Sequence, residues 1–417
     1  MRMDAENIQE GPAPTEDPLL ILTYEEPASH NGLNTRMRGL ARALAARGRR
    51  VEIAAPVYGA RTPQTSVDSD GIRLHLIPVP DLFTRGRIPI VTRALSVMCL
   101  TACLVRRLRQ METRYEWIQS EQIYPFLAAW WLARRWRSRV ILDDPSLLGL
   151  FVEEKLQRHR VLRPLLRRGV DVFEKALFNR AHWVLCSSAR QAAEIGTRVR
   201  GGATRVCRMG NGVDPQEFTS VPGDSPGNAI FFNCSVPYYQ NTAALRNLLK
   251  IFAHFEEQGF RDYSAVVLVN DAAALPSDLA AAIRSHSRVR LRSNEKSIIP
   301  WLAGCDFVLL PYEAGHRTTA GPRLKVFEAL ACGKIILSTR EGLDEVSGCI
   351  DGTNVIVCSD WRDMVCKTME LIREGDSARK QKMRREARRL VEAEYSWGRL
   401  VKAYETIFDR GTAAEEG

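Results

Sequence analysis

The residues from Ala320 to Thr339 carry the side chains and spacing most able to do chemistry. Gly321-Pro322 sets a tight start, and proline at a first helical position fixes φ while lacking an N–H that would be orphaned anyway. Leu324, Phe327, Leu330 and Ala331 then share one face of a short amphipathic helix. Gly333-Lys334 breaks it before the β-type run Ile335-Ile336-Leu337. The start of such a helix presents unpaired N–H groups and a positive dipole end, a natural seat for phosphate. Arg323 and Lys325 flank that seat, where cations oppose the helix dipole. A bound diphosphate would offset that cost, and fixed donors there would stabilise charge developing on a departing phosphate. Glu328, the acid of this helix, is placed to accept hydrogen bonds from hydroxyls. The bland alternative pairs Glu328 with Lys325 at i,i+3 on a solvated face. Diphosphate and hydroxyls recognised side by side point to a nucleotide-sugar.

Other candidates are weaker. Asn31-Gly32 opens a helix and could close over a diphosphate or be no more than a tight turn. His316 lies in the loop Gly315–Gly321, and Asn241 starts another helix. Glu121, Asp143 and Asp144 follow strands and could orient a hydroxyl; Asp144-Pro145 equally reads as a helix cap. Asp68-Ser-Asp70-Gly71 has the form of a paired-acid metal site, but Asp-Gly is a common turn signal and the turn reading prevails. The seven histidines do not cluster at ligand spacing, so no metal and no cofactor are expected.

These residues need a scaffold. At 417 residues and 45% hydrophobic, the chain supports two domains with separate cores. Apolar strands are expected at 19–23, 51–55, 72–78, 117–120, 140–142 and 183–187. A second array is expected at 229–232, 265–269, 289–291, 307–310, 335–337 and 355–357. Helical stretches intervene, the clearest from Leu33 to Arg47 with Leu33, Met37, Leu40 and Leu44 on one face. Such alternation predicts two doubly wound α/β, Rossmann-like domains with parallel sheets, whose ligands sit beyond the carboxyl ends of the strands. The expected division is a disordered tail over 1–18, a first domain over 19–208 and a second over 209–394. A C-terminal helix over 395–410, crossing back to the first domain, and an acidic tail over 411–417 complete it.

The chain resembles a GT-B glycosyltransferase of the retaining group 1 family. Asn31-Gly32, Asn211-Gly-Val-Asp214 and the block Gly321–Thr339 carry the likeness, with Tyr238-Tyr-Gln-Asn241 a weaker match. The resemblance implies transfer of a sugar from a nucleotide-sugar donor to a glycan or lipid-linked acceptor, in cell-envelope or polysaccharide assembly. It implies a donor site at Asn31, Gly32, Gly321, Leu324 and Glu328, the last contacting ribose, with Arg323 and Lys325 stabilising the leaving phosphate. The chain departs from the pattern at Ala320, where a glutamate is usual, at Cys234, where a glycine is usual, and at Asp143-Asp144, where a histidine is common. An Arg/Lys pair expected soon after Cys234 has no obvious counterpart. Two rivals stay open: a GT-B-like scaffold without turnover, and a nucleotide-sugar epimerase.

The net charge of +10 is concentrated: residues 1–200 hold 31 Lys and Arg against 21 Asp and Glu, while the remainder is balanced at 28 each. A nucleic-acid binder is disfavoured by that balanced half. Cations alternating with leucines over 155–168, and the run 130–137, raise an anionic membrane surface as a partner of the first domain. No stretch reaches the roughly 20 apolar residues of a membrane span. A cytoplasmic location is expected, with the protein either soluble or peripheral on the inner face of the cytoplasmic membrane. The ten cysteines lack paired spacing, which fits free thiols.

Overall fold

The computed structural model describes residues 15–27, 31–80, 90–145, 147–148, 162–218, 228–236, 238–315 and 321–413. Two sheets form, one from each half. The first contains β1 (Thr15–Leu22), β2 (Arg49–Tyr58), β3 (Gln64–Val67), β4 (Arg73–Val79), β5 (Trp117–Glu121), β6 (Arg139–Asp143), β7 (Trp183–Cys186) and β8 (Val206–Arg208). Its order is β3-β4-β2-β1-β5-β6-β7-β8, parallel except for the edge strand β3. The second contains β9 (Ala229–Cys234), β10 (Ser264–Val269), β11 (Val289–Ser293), β12 (Phe307–Leu310), β13 (Ile335–Thr339) and β14 (Ile356–Cys358). Its order is β11-β10-β9-β12-β13-β14, with every pairing parallel. The central strands read as unbroken apolar runs, Leu19–Leu22 and Phe307–Leu310, because helices cover both faces.

In the first half the helices are α1 (Gly32–Ala45), α2 (Ile90–Leu108), α3 (Phe126–Trp136), α4 (Leu162–Phe178) and α5 (Ala189–Gly196). The second half has α6 (Tyr239–Glu257), α7 (Ser277–Ser285), α8 (Ile299–Ala303), α9 (Leu324–Ala331), α10 (Trp361–Arg373) and α11 (Ala378–Leu390), followed by α12 (Trp397–Leu400) and α13 (Lys402–Ala413). Leu104 of α2, Phe126 of α3, Phe178 of α4 and Ile195 of α5 belong to the core on one face of the first sheet. Met37 and Leu40 of α1 fill the other face together with Trp397, Tyr404 and Ile407. The last helices thus pack on the first sheet although they follow the second in sequence.

Several expectations are corrected. The first strand begins at Thr15, inside the segment expected as a tail, because Thr15 extends the ladder to Arg49 across a register shift. Residues 1–14 lie outside the described residues. Val67 and its neighbours make the antiparallel edge β3, whose four residues are all exposed and so carry no apolar alternation. The final helix is interrupted: a π-helical turn spans Val391–Tyr395, and α13 runs to Ala413, into the segment expected as an acidic tail. Asp68-Ser-Asp70-Gly71 is the expected turn, with Asp68 Oδ1 accepting from the N–H groups of Asp70 and Ile72 at 3.0 and 2.9 Å. The ten cysteines are free.

Close packing fixes the return of the C-terminal helices. A Cβ at Gly39 would lie 2.2 Å from Trp397 Nε1. Glycine inside a helix ordinarily costs up to about 1 kcal/mol relative to alanine, so Gly39→Ala should help α1 in isolation. Overpacking costs about 1–3 kcal/mol and should win, lowering stability in urea denaturation. Gly398→Ala, with no atom within 4 Å of its added Cβ, should not.

Candidate functional site

Strand order reverses between β1 and β5 in the first sheet and between β9 and β12 in the second. Ligands of open α/β sheets bind at such switch points. The loops leaving them line one cleft of about 3030 Å³ between the two halves. That exceeds the roughly 300–1,000 Å³ of an ordinary ligand pocket and leaves room for two substrates. Tyr24, Gln122 and Tyr124 face it from the first half, and Asn233, Cys234, Tyr312 and Lys325 from the second.

The helix expected to seat phosphate is α9, at the second switch point. Arg323 occupies its N-cap with extended backbone, φ −68° and ψ 120°, so it precedes the first turn instead of lying in it. Its guanidinium donates to the Glu341 carbonyl and lies 3.9 Å from the centre of the Tyr312 ring. Lys325 Nζ donates to the Asn233 carbonyl and, at 3.0 Å, to Tyr312 Oη. Both cations are therefore turned onto protein groups that line or border the cleft, and they are not solvated surface charges. Asn241 serves the same cluster: its Oδ1 accepts from Tyr312 Oη at 2.8 Å, and its Nδ2 donates to the Ser235 carbonyl at 2.7 Å. That places it behind Lys325 as a support.

Glu328 is partly exposed, on the wall of the cleft. Neighbouring Val326, Phe327 and Leu330 are fully buried, and burial lifts the Glu328 carboxyl to about 7, with Lys325 and Asn233 pulling the other way. Shielded by its neighbours yet open to the cleft, this acid is ready to accept hydrogen bonds once ionised. Gly321, Leu324 and Gly32 meet where the two halves touch. A Cβ at Gly321 would lie 2.2 Å from Ser187 Oγ, and one at Gly32 would lie 3.2 Å from Leu324 Cδ1. The N-terminal ends of α1 and α9 thus face one another. Asn31 caps α1 by accepting from Asn34 N–H at 2.9 Å and donates to Glu25 at 3.0 Å. His316 and Ala320 lie outside the described residues.

A buried arginine, not anticipated as a site residue, joins these parts. Arg36 spends all five guanidinium hydrogens. Nε and Nη2 donate to Asp143 at 3.1 and 2.9 Å. The Nη atoms also donate to the Met209 and Gly210 carbonyls and to Asn211 Oδ1, at 3.0, 2.9 and 2.9 Å. Burial disfavours its charge, but Asp143 outweighs this and holds it more firmly protonated than usual. Asn211 Nδ2 then donates to the Pro322 carbonyl at 2.8 Å, so the chain of bonds runs from α1 through the interdomain junction to the start of α9. Its sequence signal was a cation three residues after Leu33 and four before Leu40, on the apolar stripe of α1. A second clasp lies nearby: Glu345 accepts from the Ala189 and Arg190 N–H groups at 3.1 and 3.4 Å, and Asp344 pairs with Arg190 at 3.0 Å.

The first-half acids divide by role. Asp143 is consumed by Arg36. Asp144 has φ 43°, and its side chain accepts from Ser187 Oγ; it caps no described helix. Glu121 is 1% exposed, and neither of its carboxyl oxygens makes a hydrogen bond of good geometry. Burial, with Asp143 and Glu25 adding repulsion, pushes it up to about 8, while the nearby Thr23 hydroxyl and Arg36 pull the other way. Around it, Tyr24 and Tyr124 meet edge-on at 4.6 Å. Burial raises the Tyr24 hydroxyl well above its usual pKa, and Tyr238 from the other half adds to that. Tyr238 and Tyr239, 67% and 63% exposed, complete a group of four tyrosines lining the cleft. Among the described residues no group of three His, Cys, Asp or Glu side chains could hold a metal ion.

Comparison with known proteins fits this architecture. The sequence model of the glycosyl transferase 4-like domain matches residues 31–212, and that of the glycosyl transferases group 1 domain matches residues 228–374. No curated protein sequence matches the chain. Sucrose-phosphate synthase from Thermosynechococcus elongatus superposes with a TM-score of 0.71 at 16% identity, covering 96% of this chain and 100% of that one. An Anabaena protein, HepE, solved with UDP and glucose gives 0.64 at 14% identity over 95% and 100%. The E. coli trehalose-6-phosphate protein bound with UDP-2-fluoro glucose gives 0.66 at 11% identity over 94% and 98%. The shared fold is GT-B.

Two consequences are measurable. Removing one partner of a buried ion pair strands the other and costs about 3–5 kcal/mol. Arg36→Met should therefore lose about that much in denaturant melts, and pairing it with Asp143→Leu should restore part. For Glu121 the folded carboxyl is raised from 4.5 to about 8, so the folded state holds the extra proton. Its stabilising share is complete below pH 4.5 and is lost as pH rises through 8. Glu121→Gln should flatten the stability profile across that window and exceed the parent in stability above it.

Proposed function

We propose, for a chain that belongs to the group 1 glycosyltransferases and has their GT-B fold, that it moves a sugar from a nucleoside diphosphate donor to a glycan or lipid-linked acceptor. The single observation that carries the reading is the cluster at the second switch point: Glu328, Lys325 and Tyr312 gathered at the start of α9, which faces the start of α1 across the cleft. The donor diphosphate would lie over the first turn of α9, with Arg323 and Lys325 exchanging carbonyl partners for phosphate oxygens. Glu328 would take the ribose hydroxyls. The acceptor ring would rest among Tyr24, Tyr124, Tyr238 and Tyr239, whose faces suit a pyranose and whose hydroxyls suit its edges.

In the transfer, the acceptor oxygen bonds to the anomeric carbon as the bond from that carbon to the diphosphate breaks. The hydroxyl proton leaves with the diphosphate. The cations at α9 sit where negative charge grows, so they lower the barrier without rearranging. The resemblance favours retention of anomeric configuration, and the leaving group needs no metal if Arg323 and Lys325 neutralise it. Cell-envelope or polysaccharide assembly in the cytoplasm is the setting we infer.

Nucleoside diphosphates should raise the thermal midpoint, one base more than the others. Glu328→Ala and Lys325→Ala should each reduce that shift. Because the Glu328 carboxyl titrates at about 7 and hydroxyls are accepted best by its ionised form, nucleotide affinity should rise with pH through that value. Below it, affinity should fall about tenfold per unit. Glu328→Gln should abolish the dependence. Nucleotide release from a panel of nucleotide-sugars with lipid extract separates a transferase from a silent scaffold.

A further inference from the structure

One face of the first half is not accounted for by the donor site. Helices α2, α3 and α4 pack on the same side of the first sheet. Together they carry nine Lys and Arg against two acids, Asp171 and Glu174. Arg106, Arg107, Arg134, Arg135 and Arg168 are exposed. Solvated arginines alone would be unremarked, but large apolar side chains stand among them. Val172 is 69% exposed, Met98 64%, Leu95 49%, Phe173 45%, and Leu166 and Trp131 40% each. Leu166, Val170 and Phe173 follow one another at i, i+4, i+7, so α4 presents an apolar stripe outward instead of only toward its core.

This stripe continues into the cleft. Val97 and Met98 of α2, Leu127 of α3, and Val170 and Phe173 of α4 line its first-half end. A sugar needs no such wall. Exposed apolar surface of this extent marks an interaction site, and its companion charge decides the partner. Arginines surrounding apolar side chains fit a surface whose phosphates lie outside and whose hydrocarbon lies beneath. Nucleic acid offers phosphate without hydrocarbon.

We propose that the α2–α3–α4 face seats on an anionic lipid bilayer, with Leu95, Met98, Val172 and Phe173 entering the headgroup boundary and the arginines pairing with lipid phosphates. This lays the first-half end of the cleft against the membrane, so that an acceptor anchored by a hydrocarbon chain reaches the tyrosines without leaving the bilayer. The inference names the acceptor class and in that respect rests on the transferase reading. No described helix is long and apolar enough to cross a membrane, which is consistent with surface attachment.

The test is flotation of the full chain with phosphatidylcholine vesicles, with and without phosphatidylglycerol. The protein should float with the anionic vesicles and not with the neutral ones, and less as salt is raised. Leu95→Glu with Val172→Glu, both outside the cleft lining, should weaken partitioning at least about tenfold while leaving the nucleotide-dependent thermal shift unchanged. Charge reversal at Arg106 and Arg107 should weaken it independently. No flotation of the parent, or unchanged flotation of both variants, would overturn the proposal. So would a salt-resistant dimer that the Leu95→Glu, Val172→Glu pair dissociates, since the face would then belong to a second copy. Loss of the thermal shift with intact flotation would instead fault the donor site.

Discussion

The bonds that set the start of α9 against α1 are anchored at Arg36. A guanidinium taken from water must have each of its hydrogens met, and here each one is. Two go to Asp143 at the end of a first-half strand; three go to the junction at Met209, Gly210 and Asn211. The arrangement is demanding in a way an apolar contact is not. A leucine tolerates a shifted neighbour, whereas five aimed donors fix the angle at which the chain leaves the first sheet. Gln119 extends the constraint, donating to Asp143 at 3.3 Å while accepting from Tyr404 at 2.5 Å. The returning C-terminal helix is therefore tied to the same carboxylate as the outgoing junction.

The consequence for chemistry is positional. Asn211, whose Oδ1 is held by Arg36, holds the Pro322 carbonyl with its amide, and Pro322 precedes the first turn of α9 by two residues. The start of α9 is thus placed relative to α1 by bonds, and the glycines at 32 and 321 remove the side chains that would prevent the approach. Val213 adds a second linkage: its N–H donates to the Tyr395 carbonyl at 2.9 Å and its carbonyl accepts from Trp397 N–H at 3.2 Å. Outgoing and returning strands of chain lie side by side. Motion between the halves would bend this paired segment first.

What the sequence made legible follows from what period and composition can encode. Buried parallel strands are continuous apolar runs, so each central strand was visible, and α9 was visible because its apolar face and its break fall in order, although Pro322, expected at the first helical position, lies before the Arg323 N-cap. The edge strand β3 has no apolar face, and the strand ends at Thr15 and Arg49 lie outside the apolar runs. Arg36 was hidden differently. One charged residue on an apolar stripe reads as an interruption unless its partners are known, and those lie 107 and 175 positions away. Glu121 was visible as an acid after a strand, but its isolation, which gives it a shifted proton affinity, is a property of the packed core. Arg323 and Lys325 were located correctly at the helix start. Their carbonyl and ring partners come from β9, Tyr312 and the segment after β13, which no local pattern joins.

Those partners bear on how a cation can serve a departing phosphate at all. A lysine held by water must shed it as charge develops, and the reorganisation opposes the reaction. Lys325 is held instead by the Asn233 carbonyl and the Tyr312 hydroxyl, itself oriented by Asn241. Dipoles already fixed around a cation cost little when a phosphate oxygen replaces one of them. Cys234 and the tyrosines at 238 and 239 then make sense as one arrangement. With two cations gathered at α9 and the helix dipole beneath them, a further cation after β9 would add repulsion among like charges. Aromatic surface there adds none.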